Sequence, residues 1–197
     1  MLNYEAPLKP QTETPGARHF VYVGRITYDK GVFLLLKAFE RLTAEQPGSK
    51  LSFAGDGEAL EPLRSRVAQS PCDAQVEVLG RLPAAEVLDL MTRADLLVCP
   101  TLTEFTEGLA MVCIEAAAVG TPTLMSSVVP AQDILAGSCL TFQADSEEAL
   151  LQAMRRLSGD SVEYRRMVAA TRTLAPAFRD PSDCWGEQLR RLLDALL

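Results

Sequence analysis

The chain has 197 residues, which is enough for one sizeable domain with a buried core and short for two. Its composition, 48% hydrophobic and 23% charged, is that of a soluble globular protein, and no segment approaches the ~20 consecutive apolar residues that span a bilayer. The net charge of -7 argues against nucleic acid or anionic lipid as the main partner, because both select a basic surface.

The cysteines and the histidine restrict the chemistry further. Five cysteines are scattered without a CxxC pair, which favours reduced thiols in a cytosolic protein over a metal or redox site. Because His19 is the one histidine, a Ser-His-Asp triad could use no other, and a metal site built from several histidines is excluded. These counts disfavour many classes of hydrolase.

The N-terminal segment, residues 1–17, is predicted to be a linker. Its sequence, MLNYEAPLKPQTETPGA, contains three prolines and lacks the basic start and apolar centre of a signal peptide. The folded domain is predicted over residues 18–197, with its first strand near His19.

Strand and helix patterns alternate along the rest of the chain. Apolar runs rich in Val, Leu and Phe, without polar alternation, predict strands covered on both faces at 19–24, 50–55, 75–80, 95–100 and 122–127, and a sixth strand is predicted at 139–143. Helices are predicted at 29–45, 58–69, 84–92, 109–119 and 145–157, and two more helical stretches close the chain, the last at 180–197. The alternation predicts an α/β fold, a single Rossmann-like doubly wound parallel sheet of about six strands with flanking helices.

Ligands of such sheets bind beyond the carboxyl ends of the strands, so the loops after the strands are the places to search. The first, GRITYDKG at 24–31, has Gly24 for close backbone approach and two cations, Arg25 and Lys30, around the next helix start. Cations are unfavourable at a helix N-terminus unless an anion binds there, so this loop predicts a phosphate site. The alternative is a pair of solvated surface charges.

The second loop, AGDGEAL at 54–60, imitates the start of a dinucleotide fingerprint. Leu60 stands where the third glycine of GxGxxG would be, and a tight turn near a helix start explains the loop equally well. The chain has neither a GxxxxGK[ST] phosphate loop nor a DxD pair that could hold a metal against a diphosphate. We therefore expect no metal and no other cofactor.

The stretch EGLAMVCIE at 107–115 places two glutamates around an apolar run. If both were helical, Glu107 and Glu115 would lie about 12 Å apart, too far for a close acid–base pair. They could instead contact the two ends of an elongated ligand, with the amides of Leu109, Ala110 and Met111 facing an anion between them. The alternative is an ordinary helix with two polar residues. Because Glu115 is surrounded by apolar residues, we expect its carboxylate to be partly buried.

These motifs together resemble a known family. The stretches FVYVGRITYDKGVFLLLKAFERL, LSFAGDGE, VEVLGRLPAAEVLDLMTRADLLVCPT and EGLAMVCIEAAAVGTPTL are similar, in the right order, to the C-terminal donor domain of GT-B retaining glycosyltransferases of glycosyltransferase family 4. The similarity covers roughly residues 18 to 157, and the combination of motifs is specific although each motif alone would not be.

The resemblance implies a role for each site residue. Gly24, Arg25 and Lys30 would contact the donor diphosphate, Glu107 the donor sugar and Glu115 the ribose hydroxyls. Gly108 and the backbone of Leu109, Ala110 and Met111 would hold sugar and phosphate, and Leu82 would lie against the base. The roles expected to be catalytic are those of Glu107, Arg25 and Lys30, and the family is typically independent of metals.

The sequence departs from the family pattern in three ways. The usual Phe-Gly after the first glutamate is Leu109-Ala110, which puts a Cβ where glycine permits closest approach. The loop PTLTEFTEG is slightly long, which makes Glu104 a rival for the first glutamate, although the eight-residue spacing favours Glu107. The third departure is that the N-terminal, acceptor-binding half of a GT-B fold is missing from this chain.

The resemblance predicts a glycosyltransferase donor domain that takes a UDP-, GDP- or ADP-sugar and has little or no activity alone. The acceptor-binding domain would come from the full-length chain or from a separate subunit. A non-catalytic nucleotide-sugar-binding module and a GT-B epimerase relative are the alternatives. We expect a cytoplasmic location, with attachment to a membrane surface through the missing half as a variant of it.

Overall fold

Six parallel strands in one sheet form the centre of the computed structural model, which describes residues 8–9, 15–135, 137–159 and 161–179. The strands are β1 His19–Val23, β2 Lys50–Ala54, β3 Val76–Gly80, β4 Leu96–Cys99, β5 Thr123–Ser126 and β6 Cys139–Phe142. Neighbouring strands pair in parallel, in the order β3-β2-β1-β4-β5-β6. The predicted doubly wound α/β fold with six strands is therefore confirmed.

The described helices flank this sheet. They are α1 Val32–Glu45, α2 Leu60–Ala68, α3 Ala84–Arg93, α4 Met111–Ala118, α5 Glu147–Leu157 and α6 Val162–Arg179. In this part of the chain no helix has the length and apolar character needed to cross a membrane. The helix predicted at 180–197 lies outside the described residues.

Helix α1 starts later than predicted. Residues 29–31 were expected to be helical, whereas Tyr28–Lys30 form a short 3-10 turn and Gly31 has a left-handed backbone with φ 71°. This conformation interrupts the helical path, so that α1 begins only at Val32.

Side chains on both faces of the sheet are buried along its central strands, as the unbroken apolar runs predicted, whereas the edge strand β3 exposes Glu77 and Leu79. Along β1, Phe20 and Tyr22 pack with α1, α2 and α5, whereas Val21 packs on the opposite face with α3 and α4. In β4, Leu96 and Val98 join the first cluster and Leu97 and Cys99 join the second. Because alternate strand residues point to opposite faces, two cores need apolar residues at every position.

The glycines of the AGDG loop allow the loops after β1 and β2 to pack closely against each other. The amide of Ile26 donates to the carbonyl oxygen of Asp56 at 2.8 Å. The amide of Ala59 in turn donates to the carbonyl oxygen of Ile26 at 3.0 Å. A Cβ on Gly55 would overlap the carbonyl oxygen of Gly24. The structure thus supports the tight-turn interpretation, because the loop after β2 holds the loop after β1 in place.

The loops after β1 and β4 touch at Gly31. A Cβ there would overlap the carbonyl oxygen of Pro100, and the amide of Leu102 donates to the carbonyl oxygen of Asp29 at 2.9 Å. Gly31 is therefore needed both for its backbone conformation and for this approach.

Part of the predicted linker is packed against the domain, including the fully buried Ala17 and, earlier in the chain, Lys9. The side chain of Lys9 is buried and its ammonium group donates to the carbonyl oxygen of Ala94 and to the carboxylate of Asp95, the latter at 3.3 Å. The amide of Lys9 donates to the carbonyl oxygen of Val119, and the guanidinium of Arg172 donates to the carbonyl oxygen of Lys9. The domain boundary at residues 17 and 18 stays a prediction.

We expect Gly31→Ala to destabilise the fold. The left-handed backbone alone costs an alanine about 1–2 kcal/mol, and the overlap with Pro100 adds to that cost. Urea denaturation should therefore show a free energy of unfolding lower by more than about 1–2 kcal/mol. Gly108→Ala is the control, because a Cβ there meets open space and should change stability by less than about 0.5 kcal/mol. Equal stabilities of the two variants would contradict the role of Gly31.

Candidate functional site

The strand order reverses between β1 and β4, which are neighbours in the sheet but distant in sequence. At the carboxyl ends of these strands lies a cleft of about 380 Å³. Its wall includes seven of the predicted site residues, namely Gly24, Arg25, Lys30, Glu107, Ala110, Met111 and Glu115. Such a switch point is where open α/β sheets bind ligands.

A second cleft of about 320 Å³ adjoins the first and shares Gly24 and Arg25 with it. Leu82, which follows β3, lies in this second cleft. The two clefts together form a trough at the carboxyl ends of the strands. Arg25 lies where the two clefts join. Gly108 and Leu109 are exposed and lie outside both walls.

An ion pair joins the two loops of the first cleft. The Lys30 ammonium lies 2.6 Å from Oε2 of Glu107, and both side chains are mostly buried, with 13% and 10% of their surface exposed. The Thr101 hydroxyl donates to the same carboxylate oxygen at 2.7 Å. Glu107 therefore has a fixed position beside the cation predicted to bind phosphate. Thr101, which the sequence reasoning did not single out, is the residue that orients it.

The side chain of Arg25 is exposed at the opening of the cleft, and a hydrogen bond to Tyr22 fixes its backbone. The Tyr22 hydroxyl donates to the carbonyl oxygen of Arg25. Burial raises the pKa of Tyr22 above its ordinary value, so the phenol stays protonated and remains a donor.

The loop after β4 is anchored before it reaches Glu107. The Ser126 hydroxyl donates to the carbonyl oxygen of Thr101 at 2.6 Å, and the amide of Thr103 donates to Asp145 at 3.0 Å. The rival glutamate, Glu104, is exposed and lines a different cleft that includes Lys37 and Asp145. The geometry therefore favours Glu107 over Glu104 as the glutamate that faces the cations.

Helix α4 begins two residues later than predicted. The amides of Leu109, Ala110 and Met111 were all expected to lie at the helix start, but the first helical residue is Met111 and Leu109 is in the loop. Ala110 precedes the helix with a left-handed backbone, φ 55° and ψ 64°. The amides of Met111 and Val112 are those without a helical acceptor. The resemblance expects glycine at this position, and an alanine with a left-handed backbone is strained.

Glu115 lies one helical turn further along α4 and its carboxylate faces the cleft. It is half-buried, as expected from its apolar surroundings, and this desolvation raises its pKa above the ordinary value. Within the described ranges no side chain hydrogen-bonds or pairs with the carboxylate. A half-buried acceptor without a partner is suited to bind hydroxyl groups of a ligand.

The single histidine is not part of this site. His19 begins β1, at the end opposite the cleft, and its Nε2 lies 2.9 Å from Oγ of Ser52. Ser52 is fully buried, so it cannot meet a substrate. His19 therefore contributes to the packing at this end of the sheet and not to the cleft.

A Rossmann-like parallel sheet with a cleft at its switch point defines a class of α/β domains that bind ligands at that place. Within that class, this chain belongs to the glycosyl transferases group 1 family, whose sequence profile matches residues 6–174. The glycogen synthase of Mycobacterium tuberculosis is 34% identical over 123 residues, which cover 62% of this chain and 28% of that protein. The chain thus spans less than a third of the length of this relative.

Solved structures share the fold. The C-terminal domain of a group 1 family glycosyl transferase, LpcC of Francisella tularensis, superposes with a TM-score of 0.70 at 16% identity, covering 82% of this chain and 86% of that one. Anabaena Alr3699/HepE, crystallised with UDP and glucose, superposes with a TM-score of 0.72 at 16% identity, covering 91% of this chain and 48% of that one. The expected similarity to the C-terminal half of a GT-B fold is confirmed.

We expect Ala110→Gly to stabilise the protein by about 0.5–1 kcal/mol. Glycine relieves the left-handed strain of about 1–2 kcal/mol. This gain in stability is partly offset because glycine gives the unfolded chain a larger backbone entropy. Urea denaturation measures the change. Ala169→Gly, at an exposed position within α6, is the matched control and should destabilise by about 1 kcal/mol. The same sign for both variants would refute the strain at Ala110.

We expect Glu115→Gln to be more stable than the natural protein at neutral pH. A carboxyl whose pKa is raised on folding stabilises the fold below its unfolded pKa, and this contribution is lost as pH rises through the folded pKa. The advantage of the variant should therefore appear above about pH 4.3, the ordinary glutamate pKa, and grow until the folded group is ionised. Urea denaturation between pH 4 and 8 measures it. A difference in stability between the two proteins that does not change with pH would contradict the prediction.

Proposed function

We propose that this chain is the donor-binding domain of a retaining glycosyltransferase of glycosyltransferase family 4, which holds a nucleoside diphosphate-sugar for transfer to an acceptor. The observation that carries the proposal is the convergence of Arg25, Lys30, Glu107 and Glu115 on one cleft at the switch point. Membership of the group 1 family makes a transferred sugar the expected chemistry.

The cations are assigned to the diphosphate. Arg25 and Lys30 line one cleft with the start of α4, so a guanidinium, an ammonium and free helix amides can converge on an anion. The same groups would stabilise the negative charge that develops on the leaving diphosphate. We propose that no metal is required for this, in keeping with the absence of a DxD pair in the sequence.

The carboxylates are assigned to the two hydroxyl-rich parts of the donor. Glu107 is held by Lys30 and Thr101 and would orient the donor sugar. Half-buried Glu115, which has no side-chain partner among the residues that the structure describes, would accept hydrogen bonds from the ribose. Leu82 in the adjoining cleft would lie against the base. The trough thus offers successive positions for the base, the diphosphate and the sugar of an elongated donor. Among UDP-, GDP- and ADP-sugars, the UDP and glucose found with HepE support a UDP-sugar.

The acceptor side of the reaction is assigned to a second domain. This chain covers 48% of HepE and 28% of the mycobacterial glycogen synthase, so most of each of those proteins has no counterpart here. We propose that an N-terminal acceptor-binding domain, from the full-length chain or from a separate subunit, completes the cleft. The 197-residue chain alone should therefore bind donor and transfer little or none of it. A cytoplasmic location fits the free, buried thiols of Cys72, Cys99 and Cys113.

Titration calorimetry with UDP, GDP, ADP and their glucose conjugates tests the proposal. One of the three diphosphates should bind saturably, and Arg25→Ala or Lys30→Ala should weaken its binding about tenfold to a hundredfold, because each removes a charged hydrogen-bond donor worth about 1.5–3 kcal/mol. Addition of EDTA should leave the affinity unchanged.

Lys37→Ala is the matched control for these variants. Lys37 is an exposed lysine of α1 that lies outside both clefts of the trough, so its removal makes the same charge change without touching the site. Absence of saturable binding to any of the nucleotides would refute the donor-domain assignment. Equal losses of affinity in the Lys30 and Lys37 variants would refute the assignment of the cations to the diphosphate, but not the donor-domain assignment. Donor binding without transfer after the second domain is supplied would favour a non-catalytic nucleotide-sugar-binding module.

A further inference from the structure

The ring of Phe105 contacts both cations of the cleft. The Lys30 Nζ atom lies 3.8 Å from the ring centroid, and the guanidinium carbon of Arg25 lies 5.4 Å from it. Both distances fall within the ~6 Å over which the negative face of an aromatic ring attracts a cation. Phe105 belongs to the long part of the loop after β4, where this sequence departs from the family pattern.

The ring is not part of the wall of the cleft. That wall includes Arg25, Lys30 and Glu107, but not Phe105. The ring therefore does not take up the space in which an anion would meet the two cations.

The backbone of the loop fixes the position of the ring. The amide of Phe105 donates to the carbonyl oxygen of Leu102 at 3.2 Å, and the amide of Leu102 donates to that of Asp29 in the loop after β1. The same two loops that carry the cations and Glu107 thus also hold the ring against them. The side chain of Phe105 is half-buried, so part of the contact is shielded from water.

We propose that Phe105 is a positioning residue that holds Arg25 and Lys30 side by side for the donor diphosphate, an inference that rests on the function proposed above. Two neighbouring cations repel each other, and this repulsion opposes a preformed anion site. Glu107 offsets the charge of Lys30, but its oxygens occupy N–H donors that a phosphate would use. The ring attracts both cations without accepting a conventional hydrogen bond, so it lowers the cost of keeping them together before the ligand arrives.

The test compares Phe105→Leu with Phe105→Tyr in the 197-residue chain. Leucine keeps an apolar side chain but removes the aromatic face, whereas tyrosine keeps the face. The probe is whichever of UDP, GDP and ADP the natural protein binds most tightly, together with the nucleoside that carries the same base. The leucine variant should bind the diphosphate about threefold to thirtyfold more weakly, and the tyrosine variant should stay within about twofold. Binding of the nucleoside, which has no phosphate, should be equal in all three proteins.

A second readout reports the contact itself. The ε-methylene protons of Lys30 lie near the face of the ring, so their proton NMR signals should be shifted upfield in the natural protein and in the tyrosine variant. In the leucine variant they should return to the ordinary lysine position. This measurement does not depend on which ligand the cleft takes.

The outcomes separate the two proposals. No binding of any nucleoside diphosphate by the natural protein would overturn both the donor-domain function and the role of Phe105. Normal binding by the natural protein with equal binding by the leucine variant would overturn the role of Phe105 alone. Equal weakening by leucine and tyrosine, or parallel loss of nucleoside binding, would show a merely structural role and would also overturn it. If thermal denaturation shows the leucine variant to be unfolded, Phe105→Met carries the same expectations.

Discussion

The contact between the loops after β1 and β4 is the constraint on which the candidate site depends. Gly31 passes so close to Pro100 that a side chain cannot fit, and Asp29 accepts the amide of Leu102. This contact brings Lys30 of one loop to Glu107 of the other. Since β1 and β4 are neighbours only because the strand order reverses between them, the sheet topology brings together residues 77 positions apart.

The charges of the site are largely balanced within it. The protein has a net charge of -7, yet the cleft collects a guanidinium and an ammonium. Lys30 is neutralised by Glu107, and both cations lie near the ring of Phe105. An anionic ligand would therefore enter a site whose cations are already positioned, so little of its binding energy would be needed to order them.

Two features of the site oppose stability. Ala110 has a left-handed backbone that an alanine adopts at a cost, and Glu115 keeps a half-buried carboxylate that no side chain in the described part of the chain pairs with. Both lie on the wall of the cleft, whereas the core residues of the same helix, such as Cys113 and Ala117, are buried against the sheet. A strained backbone and an under-satisfied carboxylate on the wall of one cleft are typical of a binding site.

Sequence patterns alone predicted the six strands, because the central strands carry apolar residues on both faces. They also indicated Arg25, Lys30, Glu107 and Glu115, since charged residues in the loop after a strand or within an apolar helix stand out. Sequence did not determine the start of α4 at Met111, which depends on the left-handed backbone of Ala110, a conformation that alanine rarely adopts. The roles of Thr101 and Phe105 were also left to the tertiary structure. Their partners lie across the switch point, and no local pattern encodes a contact between loops that only the order of the strands brings together.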